Sequence, residues 1–506
     1  MRSHRYLIAL GSASLIFYLA LTALSKQFNW GGGYADRPIL AYLAIYAVLF
    51  ILYAFASKSV LQKPDSPNAL WCIVVLGLLF RGMILPANQI QEDDVYRYLW
   101  DGKVFANGIN PYKYAPEEAN HYLDFKIKDA LGFMARYTEQ ERQELEILNR
   151  LKWESEAALT TLERVNHADV PTIYPPMAQF IFRTVATLKP DSILALRGTF
   201  LIFDLAALFF IVQILGSLGK NRNLCLIYFW SPLVIKETYN STHLDILGIA
   251  FLCAAIHFLI LNRHILANLF LAFSVLVKFY PVILLPFFLE RATLKNKITG
   301  KPVWTTSFFL LLMFGAVVTL SYLPFLDTGL KTFEGLKTFS THWQSNDSVF
   351  SLLVYFFANV LNLREVSETF FASDLPTLLS KATVAITLSG VIAWLLFRKS
   401  FLEKSKEQLL FYFFILMGLV FLLSPVQNPW YLSWVVPFMC LFPWWRSWVL
   451  LTGLVGLYYL DFYFDYQDIG QYSRWIPWFE YPPFYLYFAY ELWKHRVQEN
   501  EASQTL

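Results

Sequence analysis

The chain reads as a series of apolar runs joined by short polar loops, interrupted once by a long polar region. A bilayer-spanning helix needs about 20 mostly apolar residues. Residues 6–24 and 39–56 form two such runs. Residues 69–85 form a third, with Arg81 near enough to its end to snorkel towards the interface. Residues 91–116, QEDDVYRYLWDGKVFANGINPYKYAP, then open the polar region. Asp94, Arg97, Tyr98 and Asp101 lie at helical spacing, which predicts one shared face on a short helix. A Gly-Ile-Asn-Pro-Tyr turn at 108–112 ends it. Charges dominate residues 115–168. Thr138 and Glu141 form a capping-box pattern, and Leu145, Leu148 and Leu151, then Leu159, Leu162 and Val165, repeat at helical spacing. These predict an amphipathic helix or helix pair against the outer face of a bundle. The sequence TIYPP at 172–176 opens a short apolar helix that ends at Leu188. It is interrupted by Arg183 and is too short to span.

Residues 193–215 form a clear span around Asp204, read as half of a structural intramembrane pair. Residues 224–235 rise to Lys236, Glu237 and the motif NSTHLD at 240–245, and residues 246–261 return. Residues 265–289 are interrupted by Lys278 and Pro281, which predicts a hairpin of short helices. Further apolar runs occupy 304–323, 375–397 and 411–423, the last rising to SPVQNPWY at 424–431. Shorter runs follow at 432–442, 449–460 and 484–492. The expected fold is an all-α polytopic membrane protein of about 12–14 transmembrane helices in one domain, residues 1–506. A loop at 87–173 would follow the third segment, with the remaining bundle at 174–506.

Composition agrees with this pattern. Hydrophobic residues make up 56% of the chain and charged residues 16%, with a mean hydropathy of +0.43. A net charge of +3 implies no nucleic-acid partner. Cys72, Cys225, Cys253 and Cys440 lie in apolar runs, as packing residues do, and no CxxC or HExxH occurs. Arg2 and Arg5 precede the first run, which fits a retained helix better than a cleaved signal, because another span follows directly. Placing the N-terminus in the cytoplasm puts every basic cluster on one side: Lys58 and Lys63, Lys220 and Arg222, Arg263, the loop carrying Arg291, Lys295, Lys297 and Lys301, then Arg398, Lys399, Lys404 and Lys406, Arg446, and Lys494 with Arg496. The C-terminus is then cytoplasmic too. Asp93 and Asp94, residues 240–245, 345–347 and 427–431, and Lys278 all fall on the opposite face. Polar residues at membrane depth are functional candidates by default, and their convergence predicts one external site.

A carboxylate held beside an arginine and aromatic rings at a membrane surface suits proton abstraction from a sugar hydroxyl. Asp93 or Asp94 could take that role, or could be helix-end charges that complement the dipole. Arg97 would orient the carboxylate, meet a phosphate, or pair locally with Asp101. Lys278 would meet a phosphate or snorkel. His243 and Asp245 would bind sugar hydroxyls or a divalent ion, or cap a helix. Tyr174, Trp430 and Tyr431 would stack on sugar or lipid, or join an interfacial aromatic belt. His342, Asn346 and Asp347 complete the polar set. No ligand set is diagnostic of a metal; no cofactor is required, and a divalent cation stays open.

The stretches DDVYRYLWDGKVFANGINPYKYAPE, RVNHADVPTIYPPMAQFIF, NSTHLD, VLVKFYPVILLPF and SPVQNPWYLSW carry a resemblance. In that order the chain resembles the bacterial polyprenol-phosphate-mannose-dependent mannosyltransferases, multi-spanning enzymes of the GT-C fold class. The resemblance implies a hexosyltransferase of the plasma membrane. It would move mannose from a polyprenyl-phosphate donor to a glycan or glycolipid acceptor on the extracytoplasmic face, in cell-envelope glycan synthesis. It also implies a catalytic carboxylate in the first large external loop. Asp94, preceding Val95-Tyr96-Arg97-Tyr98, aligns with it, and Asp93 is the reserve. Tyr98, Trp100, Asp101, Asn110 and Tyr112 of the same stretch are then expected near the substrate. The chain departs from the family in having three segments before the loop, where many such enzymes have one. It also has Asn428 where a histidine is expected. A transporter or flippase for lipid-linked saccharides, or a glycan ligase, would share many of these features. The former predicts inverted internal repeats, which the sequence does not display.

Overall fold

The computed structural model describes residues 2–128, 130–297, 304–364, 374–398 and 405–504. Lys301, Lys399 and Lys404 lie outside them. Among the described residues the chain is helical throughout, with one isolated bridge between Ser345 and Val426 and no strand. Among the described residues seven helices are long and apolar enough to cross a bilayer, or eight if the pair Thr305–Ser321 and Leu323–His342, bent by 87°, counts as one span. The chain is an all-α polytopic membrane protein. Asp245–Ile260, His264–Val275, Val349–Val360 and Pro429–Leu441 are shorter apolar helices. With these four and the bent pair, the apolar helices reach the lower end of the range expected from the sequence. Prolines cause much of the shortening: Pro281 divides the 265–289 run, and Pro429 and Pro437 sit at the first turns of two short helices.

Helices α1 (Arg2–Ser25), α2 (Ile39–Leu61) and α3 (Pro67–Ile84) match the first three runs. Arg81 on α3 does not snorkel. It is fully buried, pairs with Asp204 at 2.6 Å, and donates to the carbonyls of Gly77 and Phe229 at 2.9 and 2.7 Å. Asp204 also accepts from the hydroxyls of Tyr228 and Tyr239. The arginine faces the bundle rather than lipid, where a carboxylate on Ile193–Ser217 meets it. A buried pair keeps its place only when its remaining polar sites are also occupied, and most are here.

The polar region folds into helices that rest on the bundle. Helix α4 (Asp94–Ala106) packs along Pro176–Leu188. Gly102 permits the approach, since a Cβ there would lie 2.5 Å from the carbonyl oxygen of Phe182. Thr138 caps Glu139–Lys152 with the reciprocal Glu141 contact that the sequence predicts. Leu145, Leu148, Leu151, Leu162 and Val165 are buried against the core. The last helix, Ile476–Gln504, is far longer than the run at 484–492 suggests.

Candidate active site

The segment before α4 is held in place from two sides. Arg197 donates to the carbonyls of Leu85 and Ala87, and also to the carbonyl of Asn240 and the hydroxyl of Thr242. Asn240 in turn donates to the carbonyl of Asn88 at 2.6 Å and accepts from the amide of Ile90. The NSTHLD motif therefore clamps the chain just ahead of the acidic pair. It also brings His243 and Asp245 towards it.

Asp94 is the first residue of α4, but its carboxylate does not cap the helix. Oδ1 accepts from the Asn166 amide at 2.6 Å, and Oδ2 lies 3.4 Å from His243 Nδ1. Burial pushes this carboxyl up, but the contacts of His243 and Asn166, and the charge of Lys278, outweigh it and hold it at about 2. Asp93 differs. It is paired with Arg164, yet burial leaves its carboxyl above the ordinary range. Arg97 does not pair with Asp101. It donates to the carbonyls of His167 and Asn166, fixing the turn that offers the Asn166 amide to Asp94. Among the described residues its Nη1 has no hydrogen-bond partner, although the residue is buried.

These groups surround a cavity of about 590 Å³. Asp93, Asp94, Arg97, Tyr98, Tyr174, Lys278, Trp430 and Tyr431 line it, as do Asn428 and the loop residues 343–345. Lys278 Nζ lies 2.7 Å from Asp245 Oδ1 and 4.0 Å over the Tyr431 ring. Trp434 Nε1 donates to the same Asp245 oxygen at 2.6 Å, and Gly248 leaves room for the Trp434 ring. Asp245 thus aims Lys278 from behind the wall. Backbone bonds between Ser345 and residues 425 and 427 join two walls that are distant in sequence. Parts of four polar motifs, around Asp94, Lys278, Gln344 and Trp430, therefore meet at one cavity.

Several expected residues stand outside the lining. Trp100 packs in the core. Asp101 is buried under the Gln179 amide, and burial pushes its carboxyl up to about 6 despite the nearby Arg97. Asn110 donates to Asp327 and to the Phe325 carbonyl, and the Tyr112 hydroxyl donates to the Tyr174 carbonyl; both hold the turn. His342 is exposed, Asn346 donates to Glu480, and Asp347 accepts from the Ser351 amide. Their neighbours Trp343, Gln344 and Ser345 face the cavity instead. Sequence reasoning missed Glu92, Asn166, His167 and Tyr280 in the lining, and Glu237 behind it. The RVNHADV stretch was the available signal for Asn166 and His167. Among the described residues no group of three or more His, Cys, Asp or Glu side chains could hold a metal ion.

A helical membrane bundle thus encloses a carboxylate, a guanidinium, an ammonium and several aromatic rings in one cavity. The chain belongs to glycosyltransferase family 87, whose profile matches residues 172–425, half of its length. The matched residues include His243, Asp245 and Lys278; Asp94 precedes them. No curated protein and no solved structure matches the chain.

Proposed function

We propose that the protein moves one hexose, with mannose the first candidate, from a polyprenyl-phosphate donor to a glycan or glycolipid acceptor. The reading extends to a GT-C-like bundle in a bacterial plasma membrane. Both termini would be cytoplasmic, and residues 87–173 and the cavity external. The observation that carries it is Asp94, ionised and directed into a cavity that also holds Arg97 and Lys278. Transfer from a lipid phosphate needs a base for the acceptor hydroxyl and cations for the departing phosphate. Asp94 supplies the first. Arg97 Nη1, buried without an acceptor, and Lys278 supply the second. Tyr98, Tyr174, Trp430 and Tyr431 offer faces for the sugar. Asp93 is neutralised by Arg164 and is assigned to shaping the site.

The test is purified protein with radiolabelled polyprenyl-phosphate mannose and a glycan or glycolipid acceptor. A product bearing one added hexose supports the reading. Movement of label across a proteoliposome membrane without a product would make it a flippase, and transfer of whole glycans a ligase.

A further inference from the structure

His243 is 1% exposed, yet among the described residues neither ring nitrogen closes a hydrogen bond. Buried polar atoms are nearly always paired, so this ring needs an explanation. Each nitrogen faces a carboxylate: Nδ1 lies 3.4 Å from Asp94 Oδ2, and Nε2 lies 3.5 Å from Glu237 Oε2. These are ion-pair contacts, short of closed hydrogen bonds. Contacts of that kind commonly tighten when substrate binds.

The ring is held firmly. It stacks on Trp430 with centroids 3.8 Å apart and planes 18° from parallel. Its amide donates to the Glu237 carbonyl at 2.9 Å. The residue before it, Thr242, has φ of 62°, a costly conformation for a β-branched side chain. Such an outlier persists only where the surroundings impose it. Glu237 is fixed from behind by the Tyr459 hydroxyl at 3.0 Å and by Lys236 at 3.4 Å, on a single π-helical turn.

The neighbouring carboxylates have strong cations: Arg164 serves Asp93, and Lys278 serves Asp245. Among the described residues, the one ion-pair partner of Asp94 is His243. We propose that His243 is the positioning residue of the transfer, bridging Asp94 and Glu237 so that Asp94 stays aimed at the acceptor. The inference rests on Asp94 being the base. In the step it supports, the acceptor O–H bond breaks and its proton goes to Asp94. The acceptor oxygen bonds to the anomeric carbon. The bond from that carbon to the phosphate oxygen breaks, and its electron pair leaves with the phosphate. His243 exchanges no atom. Each Asp94 oxygen keeps a lone pair for the proton after serving Asn166 and His243.

The test is His243→Gln, which keeps one donor but cannot bridge two carboxylates. Loss of a group that orients a site residue typically costs about 10–100-fold. We expect a fall of that size in kcat, with donor KM within about twofold. The acid limb of the kcat profile should move to higher pH, because burial then acts on Asp94 with less opposition. Glu237→Gln should move the limb the same way by less, and serves if His243→Gln does not fold. A fall in kcat with an unmoved limb would reduce His243 to packing for Trp430 and overturn the proposal, as would wild-type behaviour of both variants. Full activity of Asp94→Asn would instead remove the base assignment itself.

Discussion

Lys278→Ala removes two things at once, and the structure separates them. The first is a cation facing the cavity. Removing one well-placed donor to a developing negative charge typically costs 10²–10³ in kcat, about 2.7–4 kcal/mol. The second is the partner of Asp245, which is almost wholly buried and pairs with Lys278 at 2.7 Å. Breaking a buried pair on one side destabilises by roughly 3–5 kcal/mol, because the remaining charge is stranded. Only the Trp434 N–H would still serve Asp245. The single variant should therefore melt early as well as turn over slowly. Lys278→Ala combined with Asp245→Asn strands no charge, since the amide oxygen can still accept from Trp434. That double variant should recover most of the melting temperature while kcat stays 10²–10³-fold down. Lys278→Arg, which keeps the charge, should stay within about tenfold of wild type. Melting in detergent and turnover of a polyprenyl-phosphate sugar are the measurements. A double variant with wild-type turnover would refute any contact between Lys278 and the departing phosphate.

Two further predictions concern topology and stability. Cysteines placed at Glu117 and Gln344 should react with an impermeant thiol reagent in intact cells, and one at Asp65, in the loop between α2 and α3, should not; the reverse pattern would overturn the external site. Asp101 is buried with its carboxyl raised to about 6, so its contribution to stability is fully present below the ordinary carboxylate range and lost as pH rises through about 6. Asp101→Asn should accordingly melt later than wild type at pH 8, by an amount worth up to about 3 kcal/mol, with most of the difference gone at pH 4. An equal shift at both pH values would contradict the assignment.

Much of the site was legible because its chemistry is unusual for its surroundings. Paired carboxylates directly after an apolar run, and a lysine inside a proline-broken hairpin, stand out in a chain this apolar. Asp94, Arg97, Tyr98 and Lys278 line the cavity for that reason. What the sequence concealed depends on direction. Arg81 looks like an interfacial residue until Asp204, more than a hundred residues later, is seen opposite it. Residues 342–347 form one polar stretch, but the turn at Asn346, with φ of 51°, sends Asn346 to Glu480 while Trp343 to Ser345 meet the cavity. Asn166 reaches Asp94 through carbonyl contacts to Arg97, and backbone acceptors leave no trace in side-chain pattern.

If Asp94 takes the acceptor proton, single substitutions within the acidic pair will set it apart from Asp93. Asp94→Asn keeps shape and hydrogen bonding but removes basicity. General-base catalysis is worth roughly 10²–10⁴ in rate. Turnover of radiolabelled polyprenyl-phosphate mannose by Asp94→Asn should fall by that order while donor binding survives. Asp93→Asn, whose carboxylate is already committed to Arg164, should cost clearly less. An inactive Asp93→Asn beside an active Asp94→Asn would reverse the assignment within the pair, and full turnover by both would contradict the account.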